Sequence, residues 1–439
     1  MEKRGYENRL GKVGLTILIW LLAFQRPLED IWHPFFYLDE ITAFLGACLA
    51  FNDIVIVHKC RPNANQLMLG IPLFVFTAVG LAGNLIYQYQ PIKCVIIDLY
   101  TNLKFFCAIG TGSYLFASLD WETAKKTARQ NAQLIILILF ALFLIDRVFH
   151  IWPGQVRYGI TSSRLFYVHP SYLAGALAFL LVLLTVFYDK NSLPYIAMAL
   201  TIMVFTLRAK AFASAAVFVG IFAFLLIFQW RLRFWHVIAV GLGSVIAAWN
   251  MIRYYFIELA GRSARSVMLQ TAFQIMKDYF PTGTGFGTFG SEQAARHYSP
   301  VYLLYNFNDV WELRDVGNVE NTLRLIAKYP YLTEQYQIHS EEVLQWSQFH
   351  GDQFWPTIMG QSGVIGTVMF LIILAVLFKF CLAVEKYDRC AFAGVLFAFC
   401  YLLISSSAES AFHNAIAIPM AIVIGMIFQK IEVAKKNDF

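Results

Sequence analysis

Apolar runs of bilayer-crossing length recur along almost the whole chain, and nothing else in the sequence constrains its fold so strongly. Windows of roughly 17–25 predominantly apolar residues define about twelve segments. They centre on residues 15–24, 38–51, 67–85, 95–119, 132–145, 172–188, 194–207, 212–230, 235–256, 355–383, 392–407 and 415–428. Hydrophobic residues make up 59% of the chain and charged residues 14%. Soluble domains average about 45–50% apolar and about 25% charged, so a soluble fold has no place to hide this much apolar surface. The sequence predicts an all-α integral membrane protein. The first apolar segment has no small-residue cleavage site after its core, which predicts a retained helix.

The distribution of cations sets an orientation. With the N-terminus cytoplasmic, Lys3, Arg4, Arg9 and Lys12, then Lys59 and Arg61, Lys125, Lys126 and Arg129, and the basic C-terminal tail all fall inside. The short outer connections hold only Arg26, Lys93, Arg157, Arg164, Arg208 and Lys210. This asymmetry is what the positive-inside rule describes. Both termini are then expected in the cytoplasm. The chain divides into a first bundle (1–256), a long outer loop (257–354) and a second bundle with the C-terminal tail (355–439). The net charge of +6 comes from scattered residues, which gives no support for nucleic-acid binding. The seven cysteines avoid the long loop and form no CxxC pair, so they read as small hydrophobes of the helices.

The outer loop is rich in aromatics, among them Phe286, Phe289, Tyr298, Trp311 and Trp346, so it is expected to fold rather than remain a linker. Helices are expected over 267–279, 319–328 and 341–349. Two pairs of cations stand on the side that the positive-inside rule disfavours: Arg208 with Lys210, and Arg262 with Arg265. Arginine offers a rigid bidentate fork and lysine a point charge, and both suit a diphosphate. Snorkelling to lipid phosphates is the plainer alternative for the first pair. In Phe280–Gly290, Gly283, Gly285, Gly287 and Gly290 permit a tight turn and close backbone approach. The segment lacks the Gly-Lys-Ser/Thr ending of a nucleotide-binding loop. Acid–base candidates gather before the tenth segment: His339, Glu341, Glu342, His350 and Asp352. With no HExxH and no DxD, neither a metal nor another cofactor is expected. Asp98 and Lys104, inside the fourth segment, are expected to face one another or a partner helix.

Taken in order, these residues resemble the bacterial O-antigen ligase and polymerase (Wzy-like) superfamily from about Arg164 onwards. The matching features are Ser163-Arg-Leu-Phe-Tyr-Val-His-Pro, Arg208-Ala-Lys-Ala, Arg265, the Pro281–Gly287 turn and Gly360-Gln-Ser-Gly-Val-Ile-Gly366. The resemblance implies a metal-independent type C glycosyltransferase fold in the cytoplasmic membrane. It further implies inverting transfer of a glycan from undecaprenyl diphosphate to an acceptor hydroxyl on the outer side. Arg208, Lys210, Arg262 and Arg265 would hold the diphosphate, Gly283, Gly285 and Gly287 would position the loop, and Asp352 or His350 would act as base. Membrane lipid, a chain-length regulator and a flippase of the same pathway are the implied partners. The chain departs from the family pattern in having Asp352 where a histidine is usual, Lys210 where arginine is usual and Gln361 for a glutamate. These departures point to polymerisation of surface-polysaccharide repeats rather than ligation.

Overall fold

The computed structural model describes residues 2–57, 59, 64–115, 119–152, 154–157, 159–228, 253, 264–296, 301 and 353–437. The protein is nearly all helical. Its helices are α1 (Glu2–Ala23), α2 (Gln25–Ile31), α3 (Leu38–Phe51), α4 (Ala64–Tyr87), α5 (Ile92–Leu115), α6 (Trp121–Phe149) and α7 (Pro170–Val186). There follow α8 (Leu193–Phe205), α9 (Ala209–Phe222), α10 (Ala264–Asp278), α11 (Glu292–Arg296), α12 (Phe354–Val384), α13 (Arg389–Ser406) and α14 (Ala417–Asn437).

Among the described residues, six stretches are long and apolar enough to span a bilayer: His33–Val57, Ala64–Tyr87, Trp121–Phe149, Ala209–Ile227, Phe354–Val384 and Arg389–Ser406. The chain is therefore an all-α membrane protein. The expected segment at 235–256 lies outside the described residues apart from residue 253, and each of the others overlaps a helix. The expected loop helix at 267–279 is α10, while those at 319–328 and 341–349 also lie outside the described residues.

Helix α7 is the centre of the bundle. Fourteen consecutive residues of it, Leu173 to Val186, are buried, as a helix apolar on every side requires. Around it pack α6, α8, α13 and α14. A second layer joins α3 to α5 and α4 to α12. Close helix approach relies on glycine. A Cβ at Gly46 would lie 2.0 Å from the Cys107 carbonyl, and one at Gly112 would lie 1.9 Å from the Ile422 carbonyl. Lipid tails are as apolar as leucine, so such backbone-to-backbone packing is a main source of helix association in a bilayer.

Candidate functional site

The glycine-rich turn after α10 is wedged between the ends of α4, α5 and α12. Its amides are already engaged: Thr284 N donates to Gly360 O (3.0 Å) and Gly285 N to Gln361 O (2.9 Å). Phe286 N donates to Asn84 Oδ1 (2.8 Å), and Asn84 Nδ2 returns a bond to Phe286 O (2.9 Å). Gly287 N donates to Asp98 Oδ2 (2.8 Å). Gly283, Gly285 and Gly287 have φ of +73°, +100° and +77°, where a side chain is strained. The glycines thus let a loop backbone dock onto helix backbones, and these amides are spent within the fold rather than turned towards a phosphate.

Asp98 and Lys104 do not face one another. Asp98 receives the Gly287 amide and Asn102 Nδ2 (3.2 Å). Lys104 Nζ reaches Asp39 Oδ2 on α3 at 2.7 Å and Glu40 Oε1 at 3.6 Å, and Gln25 Nε2 also donates to Asp39 (2.8 Å). A buried charge at bilayer depth demands such a partner. Asn102 Nδ2 also donates to Asp98 O (2.8 Å), which leaves its Oδ1 to accept from His413 Nε2 (3.0 Å). That network assigns the hydrogen of His413 to Nε2.

A separate cationic cluster forms where the starts of α7 and α9 meet a small hairpin. Its strands, β1 (Val156–Arg157) and β2 (Ile160–Thr161), pair antiparallel, with Val156 opposite Thr161. The hairpin is anchored by Ser163 N donating to Phe205 O at the end of α8 (2.8 Å) and by Arg147 Nη2 donating to Thr161 O (2.9 Å). Between α8 and α9 the turn passes through Leu207 at φ +53°, and Arg208 is the N-cap of α9.

Arg157 Nη2 and Arg208 Nη2 converge on one neutral acceptor, Gln155 Oε1, at 3.3 and 3.2 Å. Arg208 Nη2 also meets His169 Nε2 at 2.7 Å, while His169 Nδ1 faces the Ser171 amide as the N-cap of α7 (3.2 Å). Both ring nitrogens therefore face donors, and a neutral imidazole satisfies only one. Burial, with Arg208, Lys210 and Arg157 nearby, lowers the His169 pKa to about 4. Burial and the neighbouring Arg157 likewise lower that of Arg208. Among the described residues no carboxylate pairs with Arg157 or Arg208, and the buried Arg208 Nε has no hydrogen-bond partner. Both guanidiniums donate to the same oxygen, so their like charges oppose one another, an effect that solvent screens at this exposed acceptor. The first turns of α7 and α9 add positive potential at the same place. Lys210 is buried one residue into the α9 helix and pairs with Glu409 Oε2 at 2.5 Å. The chemistry of such a cluster suits an anion.

Of the residues singled out in the sequence, Arg208 and Lys210 come together here, and Gly283, Gly285 and Gly287 form the docked turn. Arg265 lies in the first turn of α10, described by its backbone alone, while Arg262, His350 and Asp352 lie outside the described residues. Sequence reasoning missed Arg157, His169 and Glu409 as members of the site. His169 was visible as the residue before Pro170, and Glu409 as the acidic residue of the connection before α14. Among the described residues, no group of histidine, cysteine and acidic side chains is placed to hold a metal. No protein-family model matches the chain, and no curated protein matches it.

Proposed function

We propose that this membrane protein is a glycosyltransferase that takes a saccharide from a polyprenyl diphosphate and passes it to an acceptor hydroxyl. It would act on the outer side of the cytoplasmic membrane, with both termini in the cytoplasm and about twelve spans. Extension of surface-polysaccharide repeat units is the reaction favoured by the departures at Lys210, Asp352 and Gln361. The observation that carries the reading is the convergence of Arg157 and Arg208 on Gln155 without a carboxylate between them.

In this mechanism the diphosphate replaces Gln155 as the shared acceptor and removes the repulsion between the two guanidiniums. As the sugar C1–O bond breaks, its electron pair passes to the diphosphate oxygen. Arg157, Arg208 and His169 Nε2–H stabilise the charge that develops there. The acceptor hydroxyl attacks C1 from the opposite face, inverting it, and loses its proton to Asp352 or His350. Arg262, Arg265 and Lys210 complete the positive field, and holding both substrates in one site supplies further acceleration.

The test is transfer by purified protein in nanodiscs, given undecaprenyl-diphosphate repeat units and no nucleotide sugar. A ladder of one lipid carrying two, three or more repeats is expected, with the ladder lost in Arg157→Ala and Arg208→Ala. Transfer only to an added second acceptor would make the protein a ligase. Movement of labelled lipid across a liposome with no transfer to any acceptor would refute the enzymatic reading.

A further inference from the structure

A column of buried polar side chains runs between α9 and α13, starting at the Lys210–Glu409 pair. Contacts at its two ends fix an antiparallel register. Lys210 meets Glu409 at 2.5 Å, and two turns further along α9 the Phe218 ring meets that of Phe397, 4.8 Å between centroids. Residues four apart share a helix face. Ser214 therefore lies on the α9 stripe between Lys210 and Phe218. Tyr401 and Ser405 lie on the α13 stripe above Phe397, and Glu409 N donates to Ser405 O (2.9 Å), which carries that stripe up to the ion pair.

Ser214 and Ser405 are fully buried, and Tyr401 is 1% exposed. Among the described residues, no group meets any of the three hydroxyl oxygens in hydrogen-bond geometry. Other helical hydroxyls of this protein bond the carbonyl one turn back: Thr185 to Leu181 O, Thr201 to Ala197 O and Ser362 to Ile358 O, at 2.7, 2.9 and 2.7 Å. Ser214 and Ser405 forgo that bond, so their hydroxyls are turned off their own helices. The Tyr401 hydroxyl lies within electrostatic reach of Ser405 and Glu409. Three hydroxyls and one ion pair thus share a single stretch of the interface. Polar groups at bilayer depth require partners, and orphaned ones mark a bound water or ion.

The charges decide between these occupants. A cation here would face the Lys210 ammonium, and an anion would face the Glu409 carboxylate. Water is neutral, both donates and accepts, and needs two to four polar partners, which this set supplies. We propose that α9 and α13 enclose a water-binding site held by Ser214, Ser405 and Tyr401 beneath the Lys210–Glu409 pair. Its role is to hydrate that pair from within the fold. Lys210 acts on the same His169 ring as Arg208 and Arg157. Water beside Glu409 lets Lys210 turn towards an anion at the cluster without stranding the carboxylate. The site itself does not depend on the function proposed above.

The experiment is X-ray radiolytic footprinting of the full chain in nanodiscs, in which hydroxyl radicals formed from bound water oxidise the side chains beside it. Tyr401 is expected to oxidise at least tenfold faster than Phe76, which is also fully buried but packed against the Phe286 and Phe370 rings. Ser214→Val with Ser405→Val is expected to slow Tyr401 oxidation about tenfold and to leave that of exposed Trp32 unchanged. Ser214→Ala, which adds no bulk, is expected to slow it about threefold. Size-exclusion chromatography checks that each variant is folded. Tyr401 oxidation as slow as that of Phe76 in the wild type, or unchanged in both serine variants, overturns the proposal. Oxidation that tracks the sodium or chloride concentration would place an ion there instead of water and overturns it equally. Footprinting needs no sugar transfer, so its outcome is independent of the enzymatic reading.

Discussion

Replacing Gly283 by alanine measures how much the docked turn depends on backbone-to-backbone contact. A Cβ there would lie 2.5 Å from Gly363 N and 2.6 Å from Gly360 O, atoms of α12 that cannot rotate away. The residue also sits at φ +73°. The left-handed conformation costs a non-glycine residue about 1–2 kcal/mol. Forcing a methyl group into closed packing adds about 1–3 kcal/mol. The docked turn is therefore weakened by about 2–5 kcal/mol. Gly159 provides the control, because it has nearly the same φ, +75°, with nothing within 4 Å of an added Cβ. Gly159→Ala carries the conformational cost alone.

Hydrogen exchange of the purified protein reads this locally. At tenfold per 1.4 kcal/mol, amides of 284–287 should exchange about 30-fold to a few thousand-fold faster in Gly283→Ala. Around residue 160, Gly159→Ala should accelerate exchange about 5- to 30-fold. Equal changes in the two variants, or an unchanged 284–287 peptide, would refute the packing argument.

Arg208→Ala should lower kcat/KM for the lipid donor about ten- to a hundredfold, the value of a lost charge-assisted hydrogen bond of about 1.5–3 kcal/mol. Arg208→Lys should recover only part, since an ammonium lacks the planar fork of the guanidinium. Lys104→Met or Asp39→Asn alone should destabilise by about 3–5 kcal/mol, and the double variant by less than the sum, as a double-mutant cycle in detergent would measure. His169, in the connection before α7, has its pKa depressed to about 4 from an ordinary value near 6.5. The unfolded chain then takes up the proton first. Its contribution is complete above about pH 6.5 and declines as pH falls to about 4, by about 1–2 kcal/mol once solvent screening of a half-exposed group is allowed for. His169→Gln should flatten that part of the stability–pH curve, and an unchanged slope would reject the assignment.

The helices were legible because a bilayer leaves a one-dimensional signature, about twenty apolar residues with cations on one side. Arg208 and Lys210 were legible for the same reason, as exceptions to that pattern. Arg157 stood in the same outer tally, yet its meeting with Arg208 at Gln155 depends on a two-residue strand pair held by Ser163 and Phe205. No periodicity encodes that. The glycine run was readable as a close-approach turn, but its partners Asn84, Asp98 and Gln361 come from three helices distant in sequence. Lys104 was readable as a charge in need of a partner. That its partner is Asp39 follows from the packing of α3 on α5.

Polar contacts run from the docked turn as far as His413, and the ion pair bordering the cationic cluster stands four residues before it in sequence. Gly287 donates to Asp98, Asn102 bonds Asp98, and His413 bonds Asn102. Four residues before His413, Glu409 pairs with Lys210, which borders Arg208. In a bilayer each of these groups needs its partner, since an unmet polar group costs about 1–3 kcal/mol. Asn102 faces both ways, donating to Asp98 and accepting from His413. Asn102→Leu therefore strands His413 Nε2–H and removes one donor from Asp98. Faster exchange is expected at once in 285–288 and in 409–414, two segments that Asn102 joins through Asp98 and His413. Acceleration confined to one of them would mean that turn and cluster are held separately. Acceleration of both, with donor binding weakened, would make Asn102 the residue that registers the docked turn against the site.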